Sequence, residues 1–518
     1  MASAKPKPAA DICLLLEGTY PYVSGGVSTW VHQIITAYPD WKFAIFYIGG
    51  QRDPGAKYKY EIPSNVICIE EFYLFDPAPR TLKVLPGMPS SWKPFHTALR
   101  KLFVHLPDGS RNNLDMFLPL IRHIAKHESV SFEHFWVQRE TWAVLQEVYD
   151  RYVSEDSFIH FYWSCRYLIE PLWKLARNLS RIPQAKVYHT ACTGYAGFLG
   201  ALVARETGMP LILTEHGIYL KERIADIYRS QWIQEFPPLH PRLTEPLGNL
   251  RRLWIGFFDL LGRLCYHSAS QIVSLFGKNA HVQEHFGADG EKITIIPNGI
   301  ATEPCHALYE QRIARQQADP DSLVVGFLGR VVSIKDVKSL LRAARLVCDQ
   351  LPDARFLIAG PTSEEPEYFQ ECEELTCQLH LEGNVEFLGL QKRDDILPLM
   401  DVMVLTSISE GLPFVALESL ASGVPMVSTD VGACRELLEG AADEDPPLGA
   451  AGLVTEIGNT DQIARALIQL LTDRALQNQM SEAGRARAQN YYHEVGILTS
   501  YHQLYQNLID ASSLQVAA

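Results

Sequence analysis

Positions 401 to 430 read DVMVLTSISEGLPFVALESLASGVPMVSTD. The stretch opens on a continuous apolar run, Val402–Thr406, and closes on a second, Val424–Ser428. Continuous rather than alternating apolar strands indicate a parallel sheet covered on both faces. Between them, Pro413 suits a first helical position and Gly423 the residue after a helix end. The segment therefore reads strand, loop, helix, strand, which is one turn of a doubly wound α/β domain. Further runs of the same kind lie upstream at Leu323–Leu328, Arg355–Ala359 and Val385–Leu388, with helical periodicity between most of them. Gly329, Gly360 and Gly389 close these strands, on the edge where such sheets bind ligands.

The N-terminal half repeats this grammar with interruptions. Strands are predicted at Ile12–Leu16, Phe43–Ile48, Val66–Glu70, Lys186–Thr190, Leu211–Glu215, Gln271–Leu275 and Lys292–Pro297. Two aromatic-rich segments of helical period, near 57–153 and 219–268, break the pattern. They either pack on their own domain or form a lid, a partner surface or a membrane-facing patch. Ala301–Ser322 loses strand character and ends in Ala318-Asp319-Pro320-Asp321-Ser322, a linker signature. A chain of 518 residues has room for two or three domains. The expected division is 1–305, 306–490 and a C-terminal helix over 491–518 that is a candidate to cross back to the first domain.

Lys plus Arg number 46 and Asp plus Glu 60, giving a net charge of −14. That balance argues against a general nucleic-acid binder, whose affinity comes from cations on phosphates. A small anion would have to be held by local groups. The apolar run Ile12–Leu16, closed by Glu17, is shorter than the roughly 7 to 15 residues of a signal peptide core. No stretch reaches the roughly 18 apolar residues of a spanning helix, so a cytoplasmic protein is expected. The ten cysteines are scattered, and Cys372 and Cys377 have no second pair to complete a zinc site. His281-Val282-Gln283-Glu284-His285 matches H-x-x-E-H, but no distal third ligand accompanies it.

Four motifs sit at predicted strand ends. Ser24-Gly25-Gly26-Val27 precedes a helical run from Ser28, a plausible N-cap; the glycines serve either a tight turn or close approach of a ligand. In Gly329-Arg330-Val331-Val332-Ser333-Ile334-Lys335-Asp336, Ser333 and Asp336 fit a capping pattern that would put Lys335 in the first helical turn. A cation there opposes the helix dipole. Arg330 and Lys335 are either solvated cations or an anion clamp. In the opening stretch, Glu410 lies on the loop after a strand. Glu418 sits in an otherwise apolar helix, where it meets either ligand hydroxyls or a salt-bridge partner. His216, in Thr214-Glu215-His216-Gly217, is either structural or a ligand contact.

Glu410 and Glu418 in SEGLPFVALESLASGVPMV, preceded by Gly329-Arg330 with Lys335 and by a Gly-Gly loop near the N-terminus, resemble the retaining glycosyltransferases of family 4. The resemblance covers most of the chain and is most specific from about Ile295 to Glu436. It implies the α/β GT-B fold: two Rossmann-like doubly wound domains facing across a cleft, the first on the acceptor side. DICLLLEGTYPYVSGGVSTWVHQII and LTEHGIYLKER are closer still to the subgroup acting in Pel exopolysaccharide synthesis, which the two insertions also fit. Carried over by position, Arg330 and Lys335 would bind the donor diphosphate and Glu418 the ribose hydroxyls. Glu410, with Gly411 and Leu412 beside it, would contact the donor sugar. Gly25 and Gly26 would approach donor phosphate or sugar, and His216 would lie near the reacting carbon. Asn298, in Pro297-Asn298-Gly299, matches a recurrent motif near the hinge, and backbone around Gly389 and Leu390 would meet the uracil.

The implied substrates are a UDP-sugar, UDP-glucose or a UDP-N-acetylhexosamine, and a glycan acceptor. No cofactor, no metal and no nucleic acid is implied. An inner-membrane polysaccharide-synthase complex is a candidate partner and would recruit the protein to that membrane. Two other readings remain at this stage: a retaining glycosidase, which leaves Arg330 and Lys335 unexplained, and a non-catalytic nucleotide-sugar-binding subunit recruiting partners through the aromatic insertions.

Overall fold

The computed structural model describes residues 10–76, 92–106, 113–126, 130–154, 156–230, 232–233 and 248–517. Parts of both insertions, 77–91, 107–112, 127–129, 155, 231 and 234–247, lie outside the described residues. The chain divides into two compact units. The first comprises Met1–Ser274, Ala280–Thr294 and Leu504–Ala518; the second comprises Leu275–Asn279 and Ile295–Gln503.

The first unit is built on a seven-stranded sheet of β1 (Ala10–Glu17), β2 (Phe43–Gly49), β3 (Val66–Tyr73), β4 (Ala185–Thr190), β5 (Leu211–Glu215), β6 (Gln271–Ser274) and β7 (Ile293–Ile295). The spatial order is β3-β2-β1-β4-β5-β6-β7. β1 pairs in parallel with both β2 and β4. Strand order therefore reverses between β1 and β4, the crevice where open α/β sheets bind ligands. The run Phe43–Gly49 is buried throughout, as a strand covered on both faces must be. The described helices of the insertions pack on this sheet: Trp92, Phe103, Phe117, Phe135, Phe161, Leu172 and Phe257 share one core with Leu15, Phe46 and Leu211.

The second unit holds β8 (Val324–Leu328), β9 (Arg355–Ala359), β10 (Val385–Gly389), β11 (Val402–Leu405), β12 (Met426–Thr429) and β13 (Gly452–Thr455), ordered β10-β9-β8-β11-β12-β13. Its switch point lies between β8 and β11. The helix Val337–Cys348 follows β8 and buries Val337, Leu340, Leu341, Ala344 and Val347, the i, i+3, i+4 face that its sequence spells.

Several expectations are corrected. The unit boundary falls at Thr294/Ile295 rather than 305/306, and Leu275–Asn279 belong to the second unit. The supposed linker over 301–322 contains a helix, Glu303–Ala318, started by Pro304. Loss of strand character there marks a change of element, not a gap between domains. The helical part of the first insertion runs on past Val153 through Phe158–Arg177, while β3 lies inside its expected range. β13 was not expected, because GLVT is too short and glycine-led to signal a strand. The final helix, Glu494–Ala517, contributes residues from Leu504 onward to the first unit.

Candidate active site

The second unit places two loops at its switch point: Gly329–Asp336 after β8 and Thr406–Pro413 after β11. Their backbones are joined, with Ile408 N donating to Ile334 O at 2.9 Å. The Thr406 hydroxyl donates to Lys335 O at 2.9 Å and Asp336 O at 3.0 Å. Gly360 lies against the first loop so closely that a Cβ would sit 1.8 Å from Gly329 O. Gly432, with φ +54, lies equally close to the second: its Cβ would be 2.0 Å from Gly411 O. Both loops are thus fixed by backbone contact rather than by flexible side chains.

Lys335 Nζ and the Glu410 carboxylate form an ion pair with side chains only 14% and 13% exposed. Ser407 Oγ donates to the same carboxylate at 2.6 Å. Arg330 stands on the same rim, half-exposed, and pairs with Glu364 at 2.6 Å. The structure corrects the local helix reading. Ser333–Lys335 form a single 3-10 turn, and Asp336 at φ +47 caps the helix from Val337 by accepting from Ser339 N. Lys335 stands just before the helix instead of in its first turn, because Asp336 rather than Ser333 supplies the cap.

Glu418 lies on the helix Phe414–Ala421, which follows Pro413 and ends before Gly423 at φ +66. Its Oε1 takes Arg393 at 2.9 Å. Burial pushes the Glu418 carboxyl up, and Arg393 pulls it back. Asn298 is buried, and its Nδ2 donates to Leu412 O at 3.0 Å. Its Oδ1 is buried with no protein donor. Gly389 closes β10 at φ +64, which favours glycine, and Leu390 beside it is 78% exposed. The second unit therefore brings together Arg330, Lys335, Glu410, Gly411, Leu412 and Asn298, with Glu418 one helix away.

In the first unit, the helix Gly26–Ala37 starts directly after Gly25, so Ser28 is a buried first-turn residue, not the cap. Gly25 is in extended backbone, and a Cβ there would meet nothing within 4 Å. Neither conformation nor packing within the unit calls for glycine. His216 follows β5 and packs edge-on against Trp30 of that helix, with ring centroids 4.7 Å apart. Its Nε2 is buried and meets no protein partner. Burial holds the ring pKa down to about 3. Trp30 also packs on His189, whose Nδ1 lies 2.6 Å from Tyr505 Oη and whose Nε2 lies 2.8 Å from Thr214 Oγ1. Glu215, next to His216 and fully buried, takes Tyr266 Oη at 2.7 Å, Gln283 Nε2 at 3.0 Å and Tyr219 N at 3.0 Å.

These two histidines give an acid-stability expectation. Burial, with His216 nearby, also lowers His189 to about 3. Both rings titrate near 6.5 when unfolded, so the unfolded chain binds more protons between about pH 6.5 and 3. Their contribution is complete above that window and is lost as pH falls through it. Glu17 and Glu215, raised by burial, act in the opposite sense. His189→Gln removes one histidine term alone. Its melting midpoint should fall less steeply with acidification than that of the unsubstituted protein; parallel slopes would contradict this.

Sequence reasoning missed Arg393, Ser407, Thr406, Glu364, Glu365, Trp30 and His189. Trp30 had a signal, its place in the helix after Gly25-Gly26, and Ser407 stands three residues before Glu410 in the same motif; the rest become partners through long-range folding. Among the described residues, no group of three or more His, Cys, Asp or Glu side chains could hold a metal ion, and no helix is long and apolar enough to cross a membrane. The H-x-x-E-H residues His281 and Glu284 instead pair with each other at 3.4 Å on an exposed face.

Comparison with known proteins adds the class. The family described as "Domain of unknown function (DUF3492)" matches residues 10–291, and "Glycosyl transferases group 1" matches residues 309–487. The D-inositol 3-phosphate glycosyltransferase of Corynebacterium urealyticum is 30% identical over 316 residues, 58% of this chain and 73% of that protein. The N-acetyl-alpha-D-glucosaminyl L-malate synthase of Bacillus anthracis is 30% identical over 177 residues, 34% of this chain. That match spans 43% of the synthase, less than half its length. In fold, the chain is similar to Anabaena Alr3699/HepE in complex with UDP and glucose, with a TM-score of 0.55 at 16% identity, covering 96% of this chain and 99% of that one. It is also similar to sucrose-phosphate synthase from Thermosynechococcus elongatus, with a TM-score of 0.59 at 15% identity, covering 97% and 100%. Two parallel-sheet Rossmann-like units and these matches define a GT-B glycosyltransferase of the family-4 type. Within that class the chain belongs to the DUF3492 family, whose match spans more than half of it and is followed here by a glycosyl transferases group 1 domain.

Proposed function

We propose that the protein is a retaining, UDP-sugar-dependent hexosyltransferase that extends a polysaccharide, as PelF does in Pel exopolysaccharide synthesis, with UDP-glucose or a UDP-N-acetylhexosamine as donor. The observation that carries this reading is the second unit's switch point, where two cations, Arg330 and Lys335, stand with Glu410 on loops fixed by backbone contact. The chemical problem is departure of a nucleoside diphosphate from an anomeric carbon, with negative charge growing on the leaving phosphate. Preorganised donors placed where charge develops supply most of the stabilisation. Arg330 and Lys335 fill that role through protein charge, with no metal or cofactor in the scheme.

Glu410, oriented by Lys335 and Ser407, positions the donor sugar hydroxyls, with Gly411 and Leu412 beside it. The Asn298 Oδ1, an acceptor without a protein donor, suits a ligand hydroxyl. Gly389 and Leu390 present backbone and an exposed apolar side chain to the base. Gly25, where a Cβ would meet nothing within 4 Å, and its neighbour Gly26 approach donor phosphate or sugar. Neutral His216 offers hydrogen bonding near the reacting carbon without carrying charge. The acceptor attacks from the face that the diphosphate leaves, and the leaving phosphate takes the acceptor's proton. The likeness of DICLLLEGTYPYVSGGVSTWVHQII and LTEHGIYLKER to the Pel subgroup supports a glycan acceptor and a cytoplasmic protein docking on an inner-membrane synthase complex.

The decisive experiment is UDP release from a panel of UDP-sugars in the presence of oligosaccharide acceptors. Turnover of one donor supports the reading, and hydrolysis of a glycan without nucleotide would replace it. Glu418 gives a separate test. If its carboxylate takes the ribose hydroxyls, the protein should bind UDP about tenfold or more tightly than 2′-deoxy-UDP, because hydrogen bonds to charged groups are worth about 1.5–3 kcal/mol. Glu418→Ala should erase that preference in calorimetry, and a preference that survives would remove Glu418 from the site.

A further inference from the structure

Every anion-holding group on the rim of the second unit faces a carboxylate of the chain itself. Lys335 has Glu410, which the proposed function uses. Arg330 and Ser333 have Glu364 and Glu365, which it does not. Glu364 Oε2 lies 2.6 Å from Arg330 Nη1. Glu365 Oε2 accepts from Ser333 N at 2.9 Å, and its Oε1 accepts from Ser333 Oγ at 3.3 Å. Both glutamates sit on the loop after β9, which lies beside the loop after β8. Val331 N donates to Pro361 O at 3.0 Å, and Gly329 N donates to Ala359 O at 2.9 Å.

The position of Glu365 is informative. It is the residue before the helix Pro366–Gln378, where a carboxylate is favoured by the helix dipole. No side-chain capping bond forms; the carboxylate turns to Ser333 instead. Two adjacent carboxylates thus hold the guanidinium, backbone N–H and hydroxyl that a phosphate would need. The Arg330–Glu364 pair is about half exposed, at 51% and 48%, so it is held weakly and can be displaced. A diphosphate, with more charge and more acceptor oxygens than a carboxylate, can win these donors, but only against that competition.

We infer that Glu364 and Glu365 are affinity-determining residues that compete with phosphate for Arg330 and Ser333, loosening the hold on the nucleoside diphosphate and favouring its departure after transfer. The inference rests on the reading of this rim as a diphosphate site. It concerns UDP as ligand and product, not the sugar.

The test is titration calorimetry of the full chain and of Glu364→Gln, Glu365→Gln and the double variant, with UDP and with uridine as probes. UDP affinity should rise about three- to tenfold in the double variant, with part of that gain in each single variant, while uridine affinity stays unchanged. Unchanged or weaker UDP binding in the variants overturns the inference. An equal gain for uridine also overturns it, because the glutamates would then act on loop order rather than on phosphate. If the double variant does not fold, Glu364→Gln alone, at an exposed pair, carries the same test. Absence of UDP binding by the unsubstituted protein would instead overturn the proposed function.

Discussion

Replacing Lys335 by alanine should lower donor turnover by about 10²- to 10³-fold, the cost of removing one preorganised donor to developing charge. Lys335 is close to buried, and its ammonium is fixed by Glu410, itself fixed by Ser407. An ammonium in a partly desolvated site acts on the leaving phosphate more strongly than a solvated one. The loss should fall mainly on kcat at saturating donor, because the interaction grows as charge builds in the transition state. Lys335→Ala also leaves the Glu410 carboxylate without its cation, which costs stability. Folding is therefore checked by melting before rates are compared. Glu410→Gln, which keeps shape and hydrogen bonding, should also slow turnover, with a smaller stability loss. Steady-state UDP release decides the matter. A Lys335→Ala protein that folds and turns over at the unsubstituted rate would remove the residue from the reaction.

The second large expected effect is structural. Gly432→Ala should destabilise the protein by about 3 kcal/mol or more and abolish turnover. Left-handed backbone costs a non-glycine residue about 1–2 kcal/mol. Here a Cβ would also lie 2.0 Å from Gly411 O and 2.5 Å from Glu410 O, backbone atoms that cannot move aside like a flexible side chain. Ala433 N donates to Gly411 O at 2.9 Å, so the two loops are fastened at that point. Relief of the clash must displace Glu410 and Gly411 themselves. Thermal melting and UDP release should fail together. A Gly432→Ala protein of unchanged melting temperature and activity would show that the loops tolerate separation.

The order of β8 to β12 was legible because these strands are apolar runs, three of them closed by glycine, whereas β13 was not legible. Arg330, Lys335 and Glu410 were singled out because they sit in short motifs at the ends of β8 and β11, and Asn298 through the family resemblance alone. Their partners were not legible. Arg393 reaches Glu418 from 25 residues away, and Glu364 reaches Arg330 from 34, with no local pattern to announce either. The capping pattern Ser333-x-x-Asp336 misled because two overlapping caps fit one sequence. Only the left-handed conformation of Asp336 decides between them. The boundary at 294/295 was missed for a related reason. The helix Glu303–Ala318 covers the second unit, its Arg312 bonding Met400 O and Asp401 O, and nothing within its own sequence says which unit it joins.

The central claim is that the rim formed by Arg330, Lys335 and Glu410 holds a nucleoside diphosphate-sugar for transfer. The most direct measurement is UDP release from a donor panel by the full chain with oligosaccharide acceptors, followed by determination of the anomeric configuration of the extended product. Release of UDP from a UDP-hexose or UDP-N-acetylhexosamine, coupled to acceptor extension with the donor's configuration kept and lost on Lys335→Ala, is the expected result. Acceptor extension that proceeds undiminished without Lys335, or no release from any UDP-sugar, would contradict the claim.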